Sequence, residues 1–242
     1  MVDRFFLAPG AVVQSGVVHL DAHESEHAVR SRRLREGDII ELLDGEGLLA
    51  SGRIRSARKQ ECVVEIDTYK ICERVLPEVY LALSVPRGPR MDDLVDAINQ
   101  LGIVSISPVV FERSVSARED ASPARVERWR RIAREAAKQS GEPFVTKILA
   151  PVRLDAFLAT AFVGSRFLLH PEAGAPQLAA ALAGAETTIP TRTLVGPEGG
   201  LTVEEVERAK QSGERVVRLG RSLLRIETAA LAACAMARLR QL

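Results

Sequence analysis

Cysteine is scarce in this 242-residue chain. Cys62, Cys72 and Cys234 are the full set, and none stands in a C-x-x-C pair. A disulfide framework and a zinc ribbon are therefore not expected, and a reducing cytoplasm is the expected location. No run of about 18 apolar residues occurs, so no membrane span is expected. The opening Met-Val-Asp-Arg-Phe-Phe lacks the apolar core of a signal peptide. Neither sign of charge dominates: 33 basic against 32 acidic residues leave a net charge of +1. The chain as a whole has no bias toward nucleic acid. Lysine is rare too. Five of the 33 basic residues are Lys, which leaves 28 Arg, and Asn99 is the single asparagine. Arginine suits bidentate phosphate contacts. A GC-rich coding bias accounts for the total, so clusters rather than the total carry function. Two phosphate-binding signatures are missing: neither the Walker pattern nor G-x-G-x-x-G occurs.

What is present gathers near the C-terminus, in Leu194-Val-Gly-Pro-Glu-Gly-Gly-Leu-Thr-Val-Glu-Glu-Val-Glu207. Arg192 to Val195 reads as the end of a buried strand. Gly196, Pro197, Glu198, Gly199 and Gly200 form a sharp loop that lets a ligand approach the main chain. Thr202 with Glu205 makes a capping box for a helix from about Val203 to Ser212, ended by Gly213. Strand, glycine loop and helix start together present free N–H groups. A plain turn between strand and helix is the alternative reading of this stretch alone. A second stretch, Val216-Val-Arg-Leu-Gly-Arg-Ser-Leu-Leu-Arg-Ile-Glu-Thr-Ala-Ala230, puts a short strand before Gly220. Leu223 and Leu224 are apolar in a loop, where they can line a pocket. Arg225, Glu227 and Thr228 then open an alanine-rich helix.

The two stretches carry a resemblance. Gly196-Pro-Glu-Gly-Gly200, Leu219-Gly220, Leu223-Leu-Arg225 and Glu227-Thr-Ala229 resemble the ribosomal RNA small subunit methyltransferase E family, of the SPOUT class of knotted methyltransferases. The resemblance runs over nearly the whole chain. It implies an α/β fold with a SPOUT-type parallel sheet and a C-terminal trefoil knot at about 190–230, preceded by a small PUA-like β-barrel. The implied domains are 1–72 for RNA binding and 73–242 for methyl transfer. The implied reaction is S-adenosylmethionine-dependent methylation of N3 of a uridine in 16S rRNA, by a homodimer acting on the small ribosomal subunit. Cofactor contacts are expected from Leu169 and His170, from Val195, Gly196, Pro197, Glu198, Gly199 and Gly200, and from Leu219, Gly220, Ser222, Leu223, Leu224, Thr228 and Ala229. Uridine N3 must lose a proton, for which Glu198 and Glu227 are candidate bases; Arg225 is the candidate stabiliser of the uracil anion.

Ahead of this region, residues 1 to about 72 read as short strands: Arg4–Leu7, Gly16–Leu20, Asp38–Leu43, Leu48–Ile54 and Glu61–Ile66. Asp44-Gly45 between apolar runs is a hairpin signal, and the spacing suggests a small barrel. A helix from Ala22 to Leu34 interrupts them and ends in Arg30, Arg32, Arg33 and Arg35. Four arginines in six residues exceed what a helix dipole needs, so they are candidate RNA contacts. His27, Arg30, Arg33 and Gly37-Asp38 also fall on the family's pattern. His23-Glu24-Ser25-Glu26-His27 matches H-E-x-x-H, but Asp21 and Glu24 read as a cap, and no metal is expected.

Residues Tyr69 to Pro77 read as a linker. Val79–Val85, the helix face Met91, Leu94, Val95, Ile98, Leu101, and Ile103–Val110 make a βαβ unit, hence a parallel sheet. Ser122-Pro123 starts a helix running to Ser140, with Arg130, Arg134 and Lys138 on one arc. Those three and Arg113 are further candidates for RNA, against the plain reading of a solvated face. Strands Arg166–His170 and Arg192–Val195 flank a helix near Pro176–Ala183, and a helix Glu227–Leu239 closes the chain. Against the family pattern stand Ala97 and Gln100 in place of Lys and Glu, Glu142 and Ser222 in place of Arg, and Ile226 in place of a smaller or polar residue. These departures leave two alternatives open: a SPOUT enzyme for another RNA position, and a non-catalytic RNA-binding assembly factor.

Overall fold

The structure, a computed structural model, describes residues 2–8, 10–114 and 122–239. A turn at Pro9-Gly10, which that residue pair signals in the sequence, lies partly outside them. The chain forms two compact units. One comprises Met1–Arg74 and Arg134–Val145, the other Val75–Ala133 and Thr146–Leu242.

The first unit is a five-stranded sheet in the order β1-β3-β4-β5-β2. Its strands are β1 (Asp3–Phe6), β2 (Val17–His19), β3 (Ile39–Leu43), β4 (Leu48–Arg58) and β5 (Glu61–Ile71). The hairpin between β3 and β4 turns at Asp44, whose side chain accepts from the N–H groups of Glu46 (2.7 Å) and Leu48 (2.9 Å). This local capture is why an Asp-Gly pair there signals a turn. Phe5, Ile40, Leu42, Ile54 and Val64 fill the core. β5 corrects the expected linker: Tyr69, Lys70 and Ile71 pair with Ala50, Leu49 and Leu48. Alternation alone ends the strand near Ile66; the partner strand extends it.

The expected helix from Ala22 to Leu34 also differs. α1 spans Ala22–Glu26, with Asp21 accepting from the Glu24 N–H at 2.8 Å. The chain then widens into a π turn, His27–Ser31, closed by Arg32 N–H to His27 C=O at 3.0 Å. Arg33 follows with φ 58°, a left-handed conformation uncommon outside glycine. Ser25 is wholly buried; it donates to Leu20 C=O and accepts from Cys62 N–H.

The second unit is a parallel sheet in the order β12-β10-β11-β6-β7-β8, with β9 pairing further along β7. Its strands are β6 (Val79–Leu83), β7 (Ser105–Val110), β8 (Lys147–Ile148), β9 (Val152–Arg153), β10 (Ser165–Leu169), β11 (Thr191–Val195) and β12 (Arg215–Val217). β11 is buried at all five positions, as a strand covered on both faces must be. The helices are α2 (Arg90–Gln100), α3 (Pro123–Ser140, which spans both units), α4 (Leu154–Leu158), α5 (Leu178–Ala183), α6 (Val203–Gln211) and α7 (Ile226–Arg238). Met91, Leu94, Val95 and Ile98 bury the predicted face of α2. The small side chains Ala229, Ala230, Ala233 and Ala237 let α7 lie against β6, β11 and α2. Burial pushes the Cys234 thiol up to about 12 and that of Cys62 to about 11, so neither is a nucleophile at neutral pH.

Candidate active site

The carboxyl ends of β6, β10, β11 and β12 meet on one side of the sheet. His170 N–H donates to Val217 C=O (3.0 Å), and Ser84 N–H to Val195 C=O (2.9 Å). Ligands of open parallel sheets gather at such ends.

The glycine loop leaves β11 there. Gly200 holds φ 73° and donates its N–H to Pro197 C=O at 2.9 Å. A Cβ on Gly196 would stand 2.2 Å from Leu201 Cδ1, so only glycine admits the buried Leu201 beneath the loop. The capping box of α6 is present in full. Thr202 Oγ1 accepts from Glu205 N–H (3.2 Å), and Glu205 Oε2 from Thr202 N–H (2.9 Å). The other oxygen of Glu205 accepts from Glu112 N–H at 2.8 Å. One carboxylate thus caps the helix and ties down the turn after β7. From that turn Arg113 Nη1 donates to Gly199 C=O at 3.3 Å.

The second loop, 218–225, is fixed at its start. Arg218 N–H donates to Pro176 C=O, Arg218 Nε to Ala175 C=O (3.0 Å) and Gly220 N–H to Gln177 Oε1 (2.9 Å). Beyond that anchor, the N–H groups of Leu219, Ser222, Leu223 and Leu224 have no partner among the described residues. Leu223 is 83% exposed.

The two loops and the end of β10 enclose a pocket of about 750 Å³. Leu169, His170, residues 195–200, Leu219, Gly220, Ser222, Leu223, Leu224 and Ala229 line it; Thr228 lies outside the lining. Ser222 and Ile226, two of the departures from the family pattern, also line it. Gln100, a third, donates to Asp96 (2.8 Å) on the surface of α2. The size suits a small organic ligand. Leucine walls beside unpartnered main-chain N–H groups suit a flat heteroaromatic group with polar edges. His170 contributes a buried Nδ1 without a partner among the described residues. Burial holds its pKa below the ordinary value, Lys210 adds to this and Glu172 opposes it. The imidazole is therefore neutral at pH 7, and its free ring nitrogen needs a ligand or water. An adenosine-bearing methyl donor fits this donor set.

Arg225 is exposed at the N-cap of α7, lines the pocket, and has no side-chain partner among the described residues. Glu198 and Glu227 share one cation. Arg90 Nη1 is 2.9 Å from Glu198 Oε1, and Arg90 Nε is 3.8 Å from Glu227 Oε1. Arg90 also lines the pocket, yet sequence reasoning did not single it out. The available signal was a basic residue just past the carboxyl end of a buried strand.

The candidate RNA residues divide. Arg130 reaches Ile148 C=O through Nε (3.2 Å) and Nη2 (3.1 Å). In the other unit Arg30 pairs with Glu26 (2.8 Å) and Arg32 with Asp3, while Arg33 and Arg35 make no side-chain contact among the described residues. Arg134 stacks on Phe6 at 3.7 Å. Lys138 is 8% exposed and pairs with Glu24 (3.2 Å) and Glu135 (2.8 Å). Its charge faces inward rather than toward an RNA surface. That same pair occupies the glutamate of the H-E-x-x-H pattern.

Comparison with known proteins gives two family matches. The profile of the RNA methyltransferase domain matches residues 73–238, and that of the RNA methyltransferase PUA domain matches 20–67. The ribosomal RNA small subunit methyltransferase E of Synechocystis is 29% identical over 97% of this chain and 77% of its own length. The protein of that name from Bacillus subtilis is 27% identical over 95% and 93%. A solved Neisseria gonorrhoeae methyltransferase E bound to S-adenosyl methionine superposes with a TM-score of 0.84, at 28% identity over 97% of this chain and 96% of that one. A Legionella pneumophila methyltransferase with bound SAM gives 0.86, at 25% identity over 98% and 97%. With a match spanning most of the chain and a second one N-terminal to it, the chain belongs to the ribosomal RNA small subunit methyltransferase E family of RNA methyltransferases.

Proposed function

We propose that the chain transfers the methyl group of S-adenosylmethionine to N3 of a uridine in 16S rRNA of the small ribosomal subunit. The observation that carries this reading is the pocket between the glycine loop and the 218–225 loop, with free main-chain donors and Arg225 at its rim. S-adenosylmethionine, when bound, supplies a methyl on a sulfonium, so the protein needs no nucleophile of its own. The residues have three tasks. The glycine loop, Leu223, Leu224 and His170 bind and desolvate the donor. Arg225 stabilises the negative charge that develops on the uracil carbonyls as N3 loses its proton. A carboxylate, Glu198 or Glu227, accepts that proton.

The remaining parts follow from the same reading. The N-terminal unit, with boundaries near 1–72, holds RNA through Arg33, Arg35 and the neighbouring Arg30 and Arg32. Residues 73–242 form the methyltransferase domain. The segment at about 190–230 is threaded as a trefoil knot, which brings the two pocket loops together. The protein works as a homodimer in the cytoplasm.

Labelled methyl transfer tests the reading. Purified protein and methyl-labelled S-adenosylmethionine are offered small or large ribosomal subunits from a strain lacking this gene. Label is expected in RNA of the small subunit alone. Label in the large subunit would point to a SPOUT enzyme for another RNA. Calorimetric donor binding without any label transfer would point to an assembly factor.

A further inference from the structure

Arg90 stands where helix energetics disfavour it. It is the first residue of α2, and a cation at a helix N-terminus opposes the macrodipole. Asp92 in the same turn does not neutralise it: its oxygens take Trp129 Nε1 (3.0 Å) and Arg128 Nη2 (2.6 Å). The Arg90 guanidinium instead joins three segments distant in sequence: the start of α2, the glycine loop through Glu198, and the first turn of α7 through Glu227. Glu227 then keeps one oxygen, Oε2, buried and without a partner among the described residues. A buried carboxylate oxygen that no protein donor satisfies is an acceptor held in reserve.

We propose that Arg90 is a positioning residue that fixes Glu227 as the base for the methylated nucleotide, with Glu198 as the anchor that steadies Arg90. The inference rests on the uridine N3 reading above. The step balances. The N3 proton passes to Glu227 Oε2, the nitrogen lone pair forms the new N–C bond, the C–S bond of the sulfonium breaks with its electrons going to sulfur, and a neutral thioether leaves. The positive charge of the donor and the negative charge of the carboxylate vanish together, so no further co-reactant is needed. Arg90 contributes by setting the direction of the carboxylate.

The test is a mutant cycle on the full-length protein with small ribosomal subunits as substrate. Arg90→Ala and Glu227→Gln are each expected to lower kcat about 100-fold, the lower end of what a positioned base contributes. The double variant is expected to lose no more than either single one, because the two act as a unit. Donor affinity by calorimetry is expected to stay within about threefold, since neither side chain is needed for the adenosine contacts. Arg90→Lys keeps the charge and is expected to recover about tenfold of the loss. Turnover of Arg90→Ala within threefold of wild type, or losses that multiply in the double variant, each overturn the inference. None of these results touches the uridine reading, which fails only if the wild-type protein yields no 3-methyluridine.

Discussion

Arg225 is the N-cap residue of α7 at the rim of the pocket, its guanidinium unengaged among the described residues. Arg225→Ala is expected to reduce kcat about 100-fold, the order seen when one anion-stabilising donor is removed, with donor binding by calorimetry little changed. Equal losses in kcat and donor affinity would instead make Arg225 a cofactor contact. Gly196→Ala is the complementary case. Its Cβ would meet Leu201 Cδ1 at 2.2 Å, and overpacking of that kind costs about 1–3 kcal/mol. Donor affinity is expected to fall about tenfold, which corresponds to about 1.4 kcal/mol; unchanged affinity in calorimetry would contradict the loop's role. His170 gives a pH test. Its folded pKa is depressed, against an unfolded value of about 6.5. The unfolded chain therefore binds the extra proton first, and stability is lost as pH falls below about 6.5 toward the folded value. Urea unfolding of wild type against His170→Gln across about pH 7.5 to 5 is expected to give a flatter profile for the variant.

Elements explain which of these features could be read from sequence. The capping box at Thr202 and Glu205 and the turn at Asp44 were legible because their partners lie within four residues. The end of β5 was not, because Leu48–Ala50 decides it from across the hairpin. The break of α1 at His27 was hidden for the same kind of reason: the bonds of Ser25 to Leu20 and Cys62 belong to the packed unit. Arg90 was missed because its partners lie 108 and 137 residues away, counting 198 − 90 and 227 − 90. Arg192 and Glu214 form another long-range pair. They join β11 to the residue just before β12, and Arg192 is packed against Phe157 (4.5 Å) and Phe162 (4.9 Å). Burial pushes the Glu214 carboxyl up, and Arg192 opposes that. Arg192→Met leaves Glu214 buried alone and is expected to cost about 3–5 kcal/mol in denaturant unfolding; Arg192→Met with Glu214→Leu is expected to recover most of it. Equal losses in both would mean that the aromatic packing of Arg192, not its charge, holds the strand.

The whole molecule combines a parallel-sheet unit that carries the pocket and a five-stranded unit that carries the exposed Arg33 and Arg35. Composition announced neither, since the net charge is +1; the division became legible only where hydrophobic patterning changed from alternating to continuous near residue 79. The proposed homodimer predicts sedimentation at twice the chain mass. Leu231 on α7 and Leu239 just after it, 37% and 48% exposed, are the apolar residues such an interface would cover, and Leu231→Glu is expected to shift the protein toward monomer without unfolding it. A wild-type monomer at micromolar concentration would remove the dimer from the account. The central claim is the methylated atom. It is tested most directly by nucleoside mass analysis of 16S rRNA after incubation of gene-deleted small subunits with protein and S-adenosylmethionine. The account predicts one new 3-methyluridine per RNA, absent without protein. A methyl group on ribose or on another base, or no new nucleoside from a protein that binds the donor, would contradict it.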